Sequence, residues 1–247
     1  GIPHNPDYNG MSQEGIVRTQ TTISNGVRMS TARCYLKPIK NRKNLRIETG
    51  AHTQKVIMEG KRCVGVDYHC KGKTIRAKAS KEVIICTGGV ASPQLLELSG
   101  IGQPELLRSH GIKIEHELMG VGEHLRDHIN APIKFHMKRG DLSYNKRMQG
   151  LGPAWQVLRY LFQKRGFMSL PSAPMLAFLR TRDDMETPDV QMHIVPYAVK
   201  NYKKRLLHDF PGITMAVYQL RPESLGSIHI QSPLPSEQPA INFNFLS

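Results

Sequence analysis

The sequence predicts a mixed α/β chain of two domains. Three observations carry this. A three-strand meander with tight turns runs into an apolar, β-branched stretch, Val83–Ile84–Ile85–Cys86. That stretch ends in Thr87–Gly88–Gly89 and a short helix, which is the local order of a strand, a glycine turn and a helix start. Beyond residue 130 the texture changes to alternating strands with one amphipathic helix, the pattern of an antiparallel sheet. The 247 residues suffice for two cores. The expected division is an irregular segment with a short helix at the domain interface over 1–42, the first domain over 43–129 and the second over 130–247.

The elements follow in order. Residues 1–26 are polar and rich in turn formers, and read as irregular. Ser30–Leu36 reads as a short helix capped by Ser30 or Thr31 and stopped by Pro38. Leu45–Thr49 reads as a short strand. His52–Glu59, Cys63–Tyr68 and Thr74–Ala79 alternate, and the turns Gly60–Lys61 and Lys71–Gly72 join them into an antiparallel meander whose outward side chains are Lys and Arg. Val83–Cys86 is apolar on both faces, as in a strand buried within a parallel sheet. Ser92 as cap, Pro93 at the first helical position and Gly100 at the end predict one helix, and Pro104–His110, ended by Gly111, predicts another. In the second half, alternation marks strands at 133–137, 190–195, 213–220 and 227–231. Trp155, Leu158, Leu161 and Phe162 mark one face of a helix ended by Gly166.

Composition narrows the function classes. No apolar run reaches the ~18 residues of a spanning helix, which leaves only peripheral contact with a membrane open. Net charge is +14, and 13 Lys or Arg lie between Lys37 and Lys81 against Glu48, Glu59 and Asp67. Such a stretch suits an anionic partner, but Tyr68 is its one central aromatic, so base stacking and nucleic-acid binding are disfavoured. The four cysteines form no CxxC pair, and Cys86 reads as a buried thiol. Reduced, cytoplasmic chemistry is the expectation, with the periphery of the inner membrane as the other location. His124 and His128 stand four apart beside Asp127 with no marked third ligand, so no metal is expected. His136, His193 and His229 lie in alternating strands, where satisfied half-buried imidazoles are ordinary. No residue is marked as nucleophile or base.

The run Gly88–Gly102, with Ser92–Pro93, two aliphatics and Ser99–Gly100–Ile101–Gly102 at fixed spacing, resembles the second signature of the glucose–methanol–choline (GMC) flavin oxidoreductases. Gly89 stands where that signature usually has Ala or Ser. Further matches run in order: Ser30–Leu36, Asn44–Val66, Gly120–His128 and Gln219–Gly226. The resemblance covers the chain but only the middle of a family member. It implies a Rossmann-like FAD-binding domain, an antiparallel-sheet substrate domain, FAD as cofactor and hydride transfer from an alcohol carbon. By position it sets Thr53 with its backbone against the adenine, and Thr87, Gly88 and Gly89 along the ADP half of the cofactor. Glycine there admits close backbone approach.

The resemblance further implies a pyrophosphate loop upstream of Gly1, where the chain opens without Met, and a catalytic His downstream of Ser247. This chain alone is therefore expected to be inactive, with no catalytic residue assigned in it. Choline enzymes of the family carry a Glu before a GFIR-like strand. Setting Ala177–Arg180 on that strand puts Pro174 at the Glu position, so an uncharged primary alcohol is the expected small-molecule substrate, with oxygen or a quinone as electron acceptor. Choline dehydrogenase proper is one alternative. A non-catalytic module binding an anion or nucleic acid through the Lys37–Lys81 face is the other.

Overall fold

The computed structural model describes residues 1–246. It is mixed α/β, and its backbone separates into two compact units, residues 1–45 with 128–221 and residues 46–127 with 222–246. The chain crosses from one unit to the other between Leu45 and Arg46, between Asp127 and His128, and between Arg221 and Pro222. The expected order of domains along the chain does not hold, because residues 222–246, assigned to the second domain, pack with 46–127. The N-terminal residues belong to the sheet unit.

In the 46–127 unit the meander forms as its alternation dictates. His52–Glu59, Arg62–Cys70 and Lys73–Lys78 pair antiparallel in that order. Lys71 and Gly72 both adopt positive φ, +49° and +76°, as a two-residue hairpin turn with right-handed strand twist requires. The inner face of the middle strand buries Asp67, which takes a bidentate pair of 2.9 Å hydrogen bonds from Arg76. The outer strand, with Lys73, Arg76 and Lys78, is exposed along its length.

Helix Gly88–Leu98 packs on the meander and buries Leu95 and Glu97. Ser99, just past its end, donates its hydroxyl to the Leu95 carbonyl at 2.5 Å and accepts the Val56 amide at 2.9 Å, joining helix and strand. Pro104–Ser109 forms the second helix as expected. Ile101–Gly102 pairs parallel with His116–Glu117, and Ser227–His229 pairs antiparallel with Ala240–Asn242.

Four local expectations are corrected. Leu45–Thr49 is irregular, with Ile47 exposed and no strand beside it among the described residues. Val83–Cys86 belongs to no strand among the described residues, and it is not buried: Ile84 is 75% exposed and Cys86 is exposed as well. A parallel strand is made by its neighbours, and none flanks this run among the described residues. The glycine-led helix begins at Gly88, so Pro93 lies inside it rather than at its first position. The Ser30–Leu36 helix is a five-residue π-turn, Ala32–Leu36, that continues into Lys37–Ile39. Pro38 lies inside this continued run and does not stop it; the helix ends after Ile39. Ser30 does cap, its hydroxyl accepting the Arg33 amide at 3.3 Å.

The other unit is a five-stranded antiparallel sheet in the order Gly15–Arg18, Met175–Leu179, Val190–Val195, Gly212–Gln219 and Ala131–His136. Val17, Leu176 and Phe178 form its core, and the Tyr8 ring stacks on Phe178 at 5.3 Å. A buried Asn organises the connections. Asn145 Nδ2 donates to the carbonyls of Ala198 at 2.9 Å and His208 at 2.8 Å, and its Oδ1 accepts the Ala198 amide at 2.8 Å. Helix Gly152–Gln163 forms where its apolar spacing predicts, but that spacing does not face the core: Gln156 is its buried residue.

Candidate functional site

Two of the four residues singled out in the sequence meet in one place. Thr53, at the second position of its strand, and Thr87, at the foot of the glycine-led helix, line a cavity of about 200 Å³ in the 46–127/222–246 unit. Ala91, Gln94 and Leu98 close it along the helix, and Pro235 closes it from the C-terminal segment. Gln94 Nε2 donates to the Glu237 carbonyl at 2.6 Å, which holds that segment to the helix.

Gly88 and Gly89 do not line the cavity but follow Thr87 directly, both exposed at the helix start. Gly88 has φ +85°, and a Cβ at either glycine would meet nothing within 4 Å. The first amides of an 11-residue helix therefore stand open beside the cavity mouth, with the partial positive charge of a helix N-terminus. Thr87 leaves those amides uncapped, because its hydroxyl lies 2.9 Å from that of Ser92 instead.

A second constellation in this unit escaped the sequence reading. Glu97 has no exposed surface, yet it carries a carboxylate in the middle of Leu95–Leu98. Its Oε1 is 2.7 Å from His229 Nδ1, and its Oε2 accepts the Ile230 amide at 2.8 Å. His229 Nε2 lies 3.1 Å from Glu123 Oε1, which also takes a 2.6 Å bond from Gln103 Nε2. Burial would lower the His229 pKa, but the hydrogen bond and charge of Glu97, then those of Glu123, outweigh it and hold the pKa above 6.5. The readable signal was an acid placed among leucines on a helix bound for the core.

In the sheet unit, His193 is half-buried as expected of a satisfied imidazole. The Tyr218 hydroxyl and Gln191 Nε2, the latter at 3.1 Å, both lie within hydrogen-bond distance of its Nε2. Burial lowers the pKa of this imidazole. The His128 ring stacks on Tyr218 at 5.1 Å, and its Nε2 donates to the Leu220 carbonyl at 3.1 Å. His136 stacks on Phe210. His124 has a positive φ of +61° in an irregular segment, so the four-residue spacing to His128 is not a helical turn. No group of His, Cys, Asp and Glu suited to a metal occurs among the described residues. Nor is any helix among them long and apolar enough to cross a membrane.

Comparison with known proteins bears on this geometry. The family model described as GMC oxidoreductase matches residues 1–130. An oxygen-dependent choline dehydrogenase of Chromohalobacter salexigens is 38% identical over 248 residues, spanning 100% of this chain and 44% of that protein. One of Photobacterium profundum is 34% identical over 247 residues, again spanning the whole chain and 43% of the relative. The chain thus spans less than half the length of these curated relatives. Among solved structures, formate oxidase of Aspergillus oryzae RIB40, studied for modification of its FAD, superposes with a TM-score of 0.82 at 23% identity, covering 99% of this chain and 47% of that one. Pyridoxine 4-oxidase from Mesorbium loti gives 0.81 at 20% identity, covering 100% and 44%. At these identities the likeness is one of fold.

Proposed function

The chain belongs to the GMC oxidoreductase family, and from that premise we propose that it is the portion of an FAD-dependent alcohol oxidoreductase that holds the adenosine end of the cofactor in one unit and shapes the substrate side with the other. The observation that supports this reading is the meeting of Thr53 and Thr87 in one cavity, with the open amides of Gly88 and Gly89 directly after Thr87. The residues fit the group. In this reading the cavity takes the adenine against the Thr53 backbone, and the helix start faces the anionic oxygens of the ADP half. Bound FAD supplies the hydride acceptor for oxidation of an alcohol carbon. The chain's own contribution is binding and orientation, and no residue of it is assigned as the base. The four cysteines are unpaired thiols, which favours a reducing compartment, the cytoplasm or the inner face of a membrane.

We further infer an uncharged primary alcohol as the substrate. Pro174, set just before strand Met175–Leu179, offers no carboxylate where the resemblance places one for a trimethylammonium group. Choline is the second reading, favoured by the 38% identity to choline dehydrogenases over the whole chain. Oxygen and a quinone both remain candidate acceptors. The deciding experiment is expression of the complete reading frame, with flavin absorbance of the purified protein and turnover measured on aliphatic alcohols, aromatic alcohols and choline. A folded but colourless protein defeats the proposal, and turnover on choline above that on every uncharged alcohol selects the second reading. Ala91→Trp, which fills the cavity, is expected to lower flavin occupancy at least tenfold with little change in Tm.

A further inference from the structure

Gln94 and Glu97 stand three positions apart on helix Gly88–Leu98, at neighbouring points of one face. Both hold the same stretch of the C-terminal segment. Glu97 takes the Ile230 amide at 2.8 Å and faces His229 Nδ1 at 2.7 Å, while Gln94 donates to the Glu237 carbonyl at 2.6 Å. Pro235, a wall of the Thr53–Thr87 cavity, lies between these two attachments. Residues 230–239 form no helix or strand. The Leu234 amide bonds Ser232 Oγ, the Glu237 amide bonds the Leu234 carbonyl, and Gln231 Nε2 bonds the Gln238 carbonyl, all within the stretch itself. The wall therefore depends on its two fastenings to the helix.

One fastening turns on a proton. The His229 ring sits between Glu97 Oε1 at Nδ1 and Glu123 Oε1 at Nε2, the latter at 3.1 Å. A charged ring donates to both carboxylates; a neutral ring has one N–H and leaves one carboxylate facing a lone pair. Glu97 has no exposed surface, so the ring rather than water compensates its charge. Gly122 makes the room, since a Cβ there would lie 2.6 Å from His229 Nδ1. Glu97 from the helix and Glu123 from the turn after Gly122 are the charged groups facing the ring, and the paired strand Ala240–Asn242 brings none. Together they raise the His229 pKa against the effect of burial, so the fastening is complete below pH 6.5 and fades as pH rises through the folded value.

We propose that His229 is a positioning residue for the cofactor: its charged ring fastens the 230–237 wall to the helix, and loss of its proton loosens that wall and speeds release of FAD. The proposal rests on the cofactor reading, and its test uses the complete reading frame. Flavin release, followed by the rise of its fluorescence, is expected to quicken about three- to tenfold between pH 6 and pH 9. Amide exchange of the 230–237 peptide, corrected for its intrinsic pH dependence, is expected to quicken with it. His229→Gln is expected to flatten both profiles. Glu123→Gln removes one supporting charge and is expected to move both midpoints to lower pH, which a merely structural contact would not do. A colourless protein defeats the cofactor reading and this proposal with it. A flavin-containing protein whose release keeps its pH profile in His229→Gln, or whose wall loosens without faster release, overturns this proposal alone.

Discussion

Glu97 and His229, 132 positions apart in the chain, share a 2.7 Å hydrogen bond in which the carboxylate is wholly buried and the imidazole largely so. Glu123 completes the array from the other side of the ring.

A raised imidazole pKa makes this a pH-dependent fastener. A group held above its unfolded value of 6.5 stabilises the fold fully below that pH, and the contribution fades as pH rises through the folded value. The Tm gap between the native chain and His229→Gln is therefore expected to be widest near pH 6, at about 3–4 °C, and to narrow toward pH 9. Thermal melts across that range measure it; a gap that widens with pH would refute the assignment. Glu97→Ala costs more, about 3–5 kcal/mol, because it strands the Ile230 amide as well as the ring.

Adjacent glycines at the helix start separate backbone strain from space. Both have open surroundings, but only Gly88 has positive φ. Gly88→Ala is expected to destabilise by about 1–2 kcal/mol, while Gly89→Ala is neutral or stabilises by up to about 1 kcal/mol. Chemical denaturation of the two variants distinguishes them. The tolerance at Gly89 fits the small residues that the signature carries there.

Asn145 tests the connections of the sheet unit. Its amide satisfies two carbonyls and one amide at once. Asn145→Ala leaves the His208 carbonyl and the Ala198 amide without partners, while the Ala198 carbonyl keeps the His208 amide, and is expected to cost about 2–3 kcal/mol. Asn145→Asp should cost at least as much, since a carboxylate oxygen would face the Ala198 and His208 carbonyls. Denaturant midpoints of the two variants check the order.

What the sequence disclosed follows the range of the forces involved. The meander was legible almost to the residue, because alternation and turn chemistry are local: Lys71–Gly72 announces its hairpin without help from the rest of the chain. Thr53 and Thr87 were named separately, and their meeting in one cavity came from the packing of helix on strand. Val83–Cys86 misled because its apolar character states what the segment tolerates, while burial depends on neighbours the run does not itself specify. Helix Gly152–Gln163 misled about direction in a similar way. Its spacing fixed the stripe but not the side on which that stripe would lie. Glu97 was missed because a charge among leucines was read by its surroundings, and its two partners come from distant segments.

Pro93 gives the glycine-led helix a seam. It carries no amide hydrogen, so the Gly89 carbonyl lacks its partner four residues on, and the opening turn is fastened to the remainder by one rung fewer. The amides of Gly89–Ala91 also have no carbonyl a turn before them, so deuterium should enter them well before those of Leu95–Leu98. A guest seated over that turn would reveal itself by slowing the first set and sparing the second, giving a footprint of occupancy that needs no colour and no turnover.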